Sequence, residues 1–95
     1  MGNETIFEWD ERKRLTNLRK HGIDFADCAA VFSRRIVTDI DARRDYGETR
    51  YRTLGLLDGR VINVVHTESG EFVRIISMRK ASKREQAHYF EAVQD

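Results

Sequence analysis

Apolar positions along the chain keep one spacing in the first third and another in the middle. Thr5-Ile6-Phe7-Glu8-Trp9 is a short apolar-rich run that predicts a first strand. Asp10 follows as a helix N-cap, with Glu11 in the first turn, where the helix dipole favours an acid. Leu15 and Leu18 form a thin apolar stripe, and Lys20-His21-Gly22 gives a cation-then-glycine ending. A helix is therefore predicted over residues 10–21. A second begins almost at once. Asp24 is its N-cap, with Ile23 placed to staple onto Cys28. Phe25, Cys28, Ala29 and Phe32 fall at i, i+3, i+4 and i+7, one face of a helix.

From Arg35 the pattern becomes extended. Arg35 to Ile40 is rich in strand formers, and Asp41 to Thr49 is polar and turn-rich. Arg50 to Leu57 predicts a strand in which Gly55 marks a bulge or a close backbone approach. Asp58-Gly59 signals a type I′ hairpin. Arg60 to Thr67 is the nearly continuously apolar return strand, hence central. Ser69-Gly70 predicts a second turn, and Phe72 to Met78 the next strand, with Val73 and Ile75 on one face and Ile76 and Met78 on the other. Ser82-Lys83-Arg84-Glu85 is a capping box, followed by Ala87, Tyr89, Phe90 and Val93 at helical spacing. The prediction is an α+β fold: an antiparallel sheet of four to five strands, two N-terminal helices and one C-terminal helix.

Length bounds what this fold can do. The chain has 95 residues, one small domain over 1–95, with little room for a deep pocket. A surface groove or a protein partner fits better than an enclosed cavity. No apolar run approaches the roughly 18 residues that span a bilayer, so no membrane association is expected. The start, Met1-Gly2-Asn3-Glu4, lacks a basic segment followed by an apolar one, so no secretory leader is expected. Cys28 is the sole cysteine, which excludes an internal disulfide and a cysteine zinc cluster, and a cytoplasmic location is the expectation. As a lone cysteine on an apolar helix face, it is read as core packing.

Charge changes the picture more. Lys and Arg total 17 against 16 Asp and Glu, a net charge of +1, but 13 of the cations are Arg. The planar guanidinium fork matches phosphate and carboxylate oxygens two at a time. Basic clusters lie at Arg12–His21, at Arg34–Arg52 with acids interleaved, and at Arg74–Arg84 with no acid before Glu85. Arg79 and Lys80 close a strand read as central, just before a helix N-terminus. Two cations, open backbone N–H groups and the positive dipole end gather there, as a phosphodiester requires. The competing reading is that these cations pair with carboxylates such as Glu48 or Glu85. His21, His66 and His88 share no metal-ligand spacing, no glycine-rich phosphate loop occurs, and no metal or cofactor is expected.

Several of these pieces, in order, resemble one family. Phe7-Glu8-Trp9-Asp10-Glu11, Asn17-Leu18-Arg19-Lys20-His21-Gly22, Phe25 and Val31-Phe32 carry the first half. Tyr46-Gly47-Glu48-Thr49-Arg50, Gly55, Val64-Val65-His66-Thr67 and Arg74-Ile75-Ile76-Ser77-Met78-Arg79-Lys80-Ala81-Ser82-Lys83-Arg84-Glu85 carry the second. Over about residues 6 to 91 the chain resembles the BrnT family of bacterial toxins. The resemblance implies a RelE-like fold and metal-independent cleavage of RNA that blocks translation. It also implies neutralisation by a BrnA-like antitoxin, through which alone the complex would contact DNA. His66 stands where the family commonly carries an aromatic, which favours strand packing for it.

By this analogy Arg79, Arg50, Glu48 and Arg74 are the candidate catalytic residues, and Lys80, Lys20 and Arg84 the candidate RNA contacts. Metal-free cleavage uses the ribose 2′-hydroxyl as nucleophile and needs its proton removed, the phosphate charge neutralised and the leaving oxygen protonated. Arg79 and Arg50 are placed as phosphate clamps, with Arg74 or Lys80 assisting and Glu48 as base or as the carboxylate orienting an arginine. No residue is assigned as the acid. Two other readings use the same arginines: a non-catalytic nucleic-acid-binding module, and a domain that docks an acidic protein.

Overall fold

The computed structural model describes residues 4–94. Met1–Asn3, where the leaderless start is read, lie outside the described residues. The elements are β1 (Ile6–Trp9), α1 (Glu11–His21), a 3-10 turn (Phe25–Asp27), α2 (Cys28–Phe32), β2 (Val37–Ile40), β3 (Tyr51–Leu57), β4 (Arg60–Ser69), β5 (Phe72–Lys80) and α3 (Lys83–Ala92). The five strands form one sheet in the order β1-β5-β4-β3-β2. The α+β class is the one expected. The meander β2 to β5 is antiparallel throughout, whereas β1 pairs with β5 in parallel, so the sheet is mixed.

Local chemistry explains the elements. The Asp10 side chain accepts from the Lys13 N–H to start α1, and the capping box at Ser82 and Glu85 starts α3. Asp58 and Gly59 both have positive φ, 52° and 78°, as the tight β3–β4 turn demands. The second turn is Gly70-Glu71 rather than Ser69-Gly70, because Ser69 is still paired, opposite Phe72.

One face of the sheet, here the inner face, carries the core. Ile62, Val64, Val73, Ile75 and Met78 pack there against Phe25, Cys28 and Val31. Ala29 is exposed and Val31 takes its expected place, because the segment opens with a 3-10 turn whose tighter pitch rotates the buried stripe. Gly55 is the close approach: a Cβ there would lie 2.8 Å from Val31 Cγ1 and 3.0 Å from the Val31 carbonyl oxygen. Cys28 is buried in this core, and burial pushes its thiol up to about 11, which suits packing and not nucleophilic attack.

Two expectations fail for physical reasons. Val65 pairs with Ser77 but His66 with Ile75, so Ile76 is an extra, bulged residue in β5. The bulge resets the alternation, and Met78 joins Val73 and Ile75 on the inner face instead of opposing them. The other concerns α1, whose Leu15 and Leu18 stay 42% and 36% exposed while Asn17 is buried. Where β1 ends, α1 runs along the edge of β5. The Asn17 amide donates to the Met78 carbonyl at 2.8 Å and to the Ile23 carbonyl at 3.0 Å, and its oxygen accepts from the Met78 N–H at 3.2 Å. One side chain thereby replaces a strand partner, and an apolar stripe is not needed to dock the helix.

Candidate nucleic-acid interface

On the outer face, α3 covers only one end. Tyr89 and Ala81 pack with Leu54 and Val61, and the Tyr89 hydroxyl donates to the Arg35 carbonyl at 2.9 Å. The rest of this face is mostly polar, with Val65 buried in its middle, and lies between α1 and α3. Directly paired residues of a sheet share a face, so the register maps it. One row runs Asp39, Arg52, Val65, Ser77; the row beyond α3 runs Thr67, Arg74, Glu8; the row under α3 pairs Asn63 with Arg79.

Arg74 and Arg79 therefore share the outer face, although an odd spacing separates them in β5. Their partners Thr67 and Asn63 are four residues apart in β4, which sets the two arginines about 13 Å apart at strand rise. Arg50 belongs with them. The Asp41 N–H donates to the Arg50 carbonyl at 2.8 Å, continuing the β2–β3 ladder one step, so alternation puts Arg50 on the face of Arg52.

Each cation is held differently. Arg79 makes a bidentate pair with Glu85, Nη1 to Oε1 and Nη2 to Oε2, both at 2.9 Å. Glu85 also accepts from the Asn63 amide at 2.8 Å and the Ser82 N–H at 2.8 Å. Burial alone would raise the Glu85 pKa, but Arg79 and these donors outweigh it and hold the carboxyl near 2. Arg74 is exposed. Arg50 stacks on the Tyr46 ring with its guanidinium carbon 4.1 Å from the ring centroid, and its Nε lies 3.5 Å from the exposed Glu48. Tyr46 is set in turn by Asp41, buried beside Arg43, whose side-chain hydrogen bonds hold the carboxyl near 2 against its burial.

The remaining candidates divide. Arg84 lines an open groove of about 320 Å³ between α3 and β3, together with Asp39, Arg52, Glu85 and His88. Lys20 lies on the exposed side of α1 that borders Ser77, with Arg12 and Lys13. Lys80 does not join them. It pairs with Ile62, on the inner face, and lines a groove with His21, Asp27, Asp58 and Arg60. Neighbours in a strand point to opposite faces, so Arg79 and Lys80 cannot form the paired cation expected of them. Arg52 was not among the candidates, yet it stands at the centre of the face; its signal was the two-residue spacing from Arg50.

His66 is fully buried on the inner face. Its Nε2 lies 2.7 Å from the Thr53 hydroxyl, and its ring stacks on Tyr51 and meets Phe32 edge-on. Burial pushes its pKa down to about 4, so it is a neutral packing residue at pH 7. Among the described residues no cluster of His, Cys, Asp or Glu could hold a metal ion, and no helix is long and apolar enough to cross a membrane.

Four arginines on one solvent-facing sheet surface, walled by two helices, can neutralise an extended polyanion. A comparison with curated proteins finds no match. Comparison with protein families matches residues 9–85, a span from β1 to the first turn of α3 that holds all four arginines, and the chain belongs to the BrnT family, ribonuclease toxins of type II toxin-antitoxin systems.

Proposed function

We propose that the chain is a metal-independent endoribonuclease that cuts RNA laid across the outer face and thereby inhibits translation in the cytoplasm. Its partner is a BrnA-type antitoxin that neutralises it by covering the same face. The observation that carries this reading is the shared placement of Arg50, Arg52, Arg74 and Arg79. A row of guanidinium groups clamps successive phosphates and stabilises the charge that grows on phosphorus during attack by the 2′-oxygen. Guanidinium holds its proton too tightly to be a useful donor, so the arginines act by charge and the protons move elsewhere.

Arg79 meets the substrate through exchange. Its fork is already filled by Glu85. A phosphate entering there replaces one carboxylate oxygen or shares the guanidinium edge, while the Asn63 and Ser82 donors keep Glu85 in place. That same pair favours a second reading, a module that binds RNA without cutting it, because a guanidinium satisfied by its own protein contributes less to a transition state. Expression of the chain in bacteria, with and without the antitoxin, separates the two. Growth arrest with fragmented RNA in the presence of a chelator, relieved by the antitoxin, is expected. Steeply salt-dependent RNA binding with intact RNA would favour the second reading.

A further inference from the structure

We propose that His88 is the general base of RNA cleavage and that Asp39 orients it; this rests on the ribonuclease reading above. His88 lies one turn along α3 from Glu85 and lines the groove that also holds Arg52 and Arg84. Its Nε2 is 3.3 Å from Asp39 Oδ2. Asp39 stands directly across from Arg52 in the β2–β3 register, and both line the same groove as His88.

This arrangement decides the tautomer. A carboxylate only accepts, so Nε2 carries the hydrogen and Nδ1 of the neutral ring keeps its lone pair. Nδ1 has no protein partner among the described residues and is available to substrate. The other two histidines do not offer this. His66 is buried on the inner face, and His21, at the end of α1, has no hydrogen-bonded carboxylate among the described residues. His88 is 52% exposed in its side chain, so RNA can reach it.

The step balances with the groups present. Nδ1 takes the proton of the ribose 2′-hydroxyl as the 2′-oxygen bonds to phosphorus. The bond from phosphorus to O5′ breaks, leaving a 2′,3′-cyclic phosphate. The departing O5′ takes a proton from water, and the imidazolium returns its own proton to the hydroxide so formed. Arg52 and Arg84 flank the phosphate as its charge grows. Asp39 is a positioning residue: it holds the ring in the productive tautomer and stabilises the imidazolium.

The test uses the full chain, a short fluorescent RNA and a chelator, with cleavage and binding measured separately. His88→Gln should lower the cleavage rate at saturating RNA about 100-fold or more, with binding nearly unchanged. Asp39→Asn should lower it about tenfold, again without loss of binding, because an amide can donate to Nε2 and favour the other tautomer. Added imidazole should restore part of the rate to His88→Ala, which a purely structural role would not allow. A His88→Gln protein that cuts at the wild-type rate overturns the proposal and leaves the ribonuclease reading standing. A wild-type chain that binds RNA and releases no cyclic-phosphate product overturns both.

Discussion

Arg74 and Arg79 stand on the same face of β5 although five positions separate them, because Ile76 bulges out of the ladder between them. In a regular strand one of the two would point into the core. The bulge acts on both faces at once, since it turns Met78 inward by the same step that turns Arg79 outward.

The two arginines should respond differently to removal. Arg74→Ala should weaken RNA binding and lower the slope of log affinity against log salt by about 0.7, with the melting temperature unchanged. Arg79→Ala should weaken binding similarly and also cost about 1 kcal/mol of stability, because Glu85 loses a partly exposed bidentate partner. Salt titrations of binding beside thermal melts check both. An unchanged salt slope in Arg74→Ala would remove that side chain from the phosphate path.

Asn17 gives the sharpest stability prediction. Asn17→Ala strands the backbone N–H and carbonyl of Met78 at the edge of β5, where α1 excludes water. A loss of about 2–3 kcal/mol is expected in chemical denaturation. Asn17→Asp should be at least as costly, since a carboxylate cannot donate to the Met78 and Ile23 carbonyls. Leu15→Ala, at an exposed position of the same helix, should change stability by less than about 0.5 kcal/mol.

At Gly55 the expectation is a steric one. An alanine methyl would press on the side chain and the backbone oxygen of Val31, and backbone cannot give way cheaply. Gly55→Ala should cost about 1–3 kcal/mol. Combining it with Val31→Ala should recover only part, because the carbonyl contact remains.

His66 should write itself into the pH dependence of folding. The unfolded chain takes up a proton at this residue near 6.5, while burial delays uptake in the folded chain to about 4. Between those values the unfolded state holds more protons, so stability falls as pH falls. The slope is up to about 1.4 kcal/mol per pH unit. Above about 6.5 the contribution is fully present, and below about 4 it is gone. Denaturation midpoints across that window should decline in the wild type and flatten in His66→Phe. Equal slopes would mean that His66 is not the group responsible.

The sequence was legible where neighbouring residues settle the outcome. The Asp10 cap, the Ser82–Glu85 box and the Asp58-Gly59 turn are local chemistry, and each forms as read. It was illegible where a distant partner decides. The bulge at Ile76 exists only against β4, and the burial of Asn17 only against Met78, so neither shows in β5 or α1 taken alone. For the site, Arg50, Arg74 and Arg79 come from the family resemblance, and that they share one face shows only in the register. Lys80 was grouped with Arg79 because the two are adjacent, although adjacency in a strand means opposite faces. Arg52 was overlooked, and the Asp39–His88 contact could not be seen, because it joins residues 49 apart.

The parallel seam between β1 and β5 has a consequence for synthesis. Ile6 waits for Phe72, and Asn17 for Met78, 61 residues downstream. Contacts this distant slow folding and cannot begin to form on a ribosome until most of the chain has emerged. A nascent chain thus carries its arginines on an unfinished scaffold, and the hazard to the cell that makes it starts only once β5 has been made.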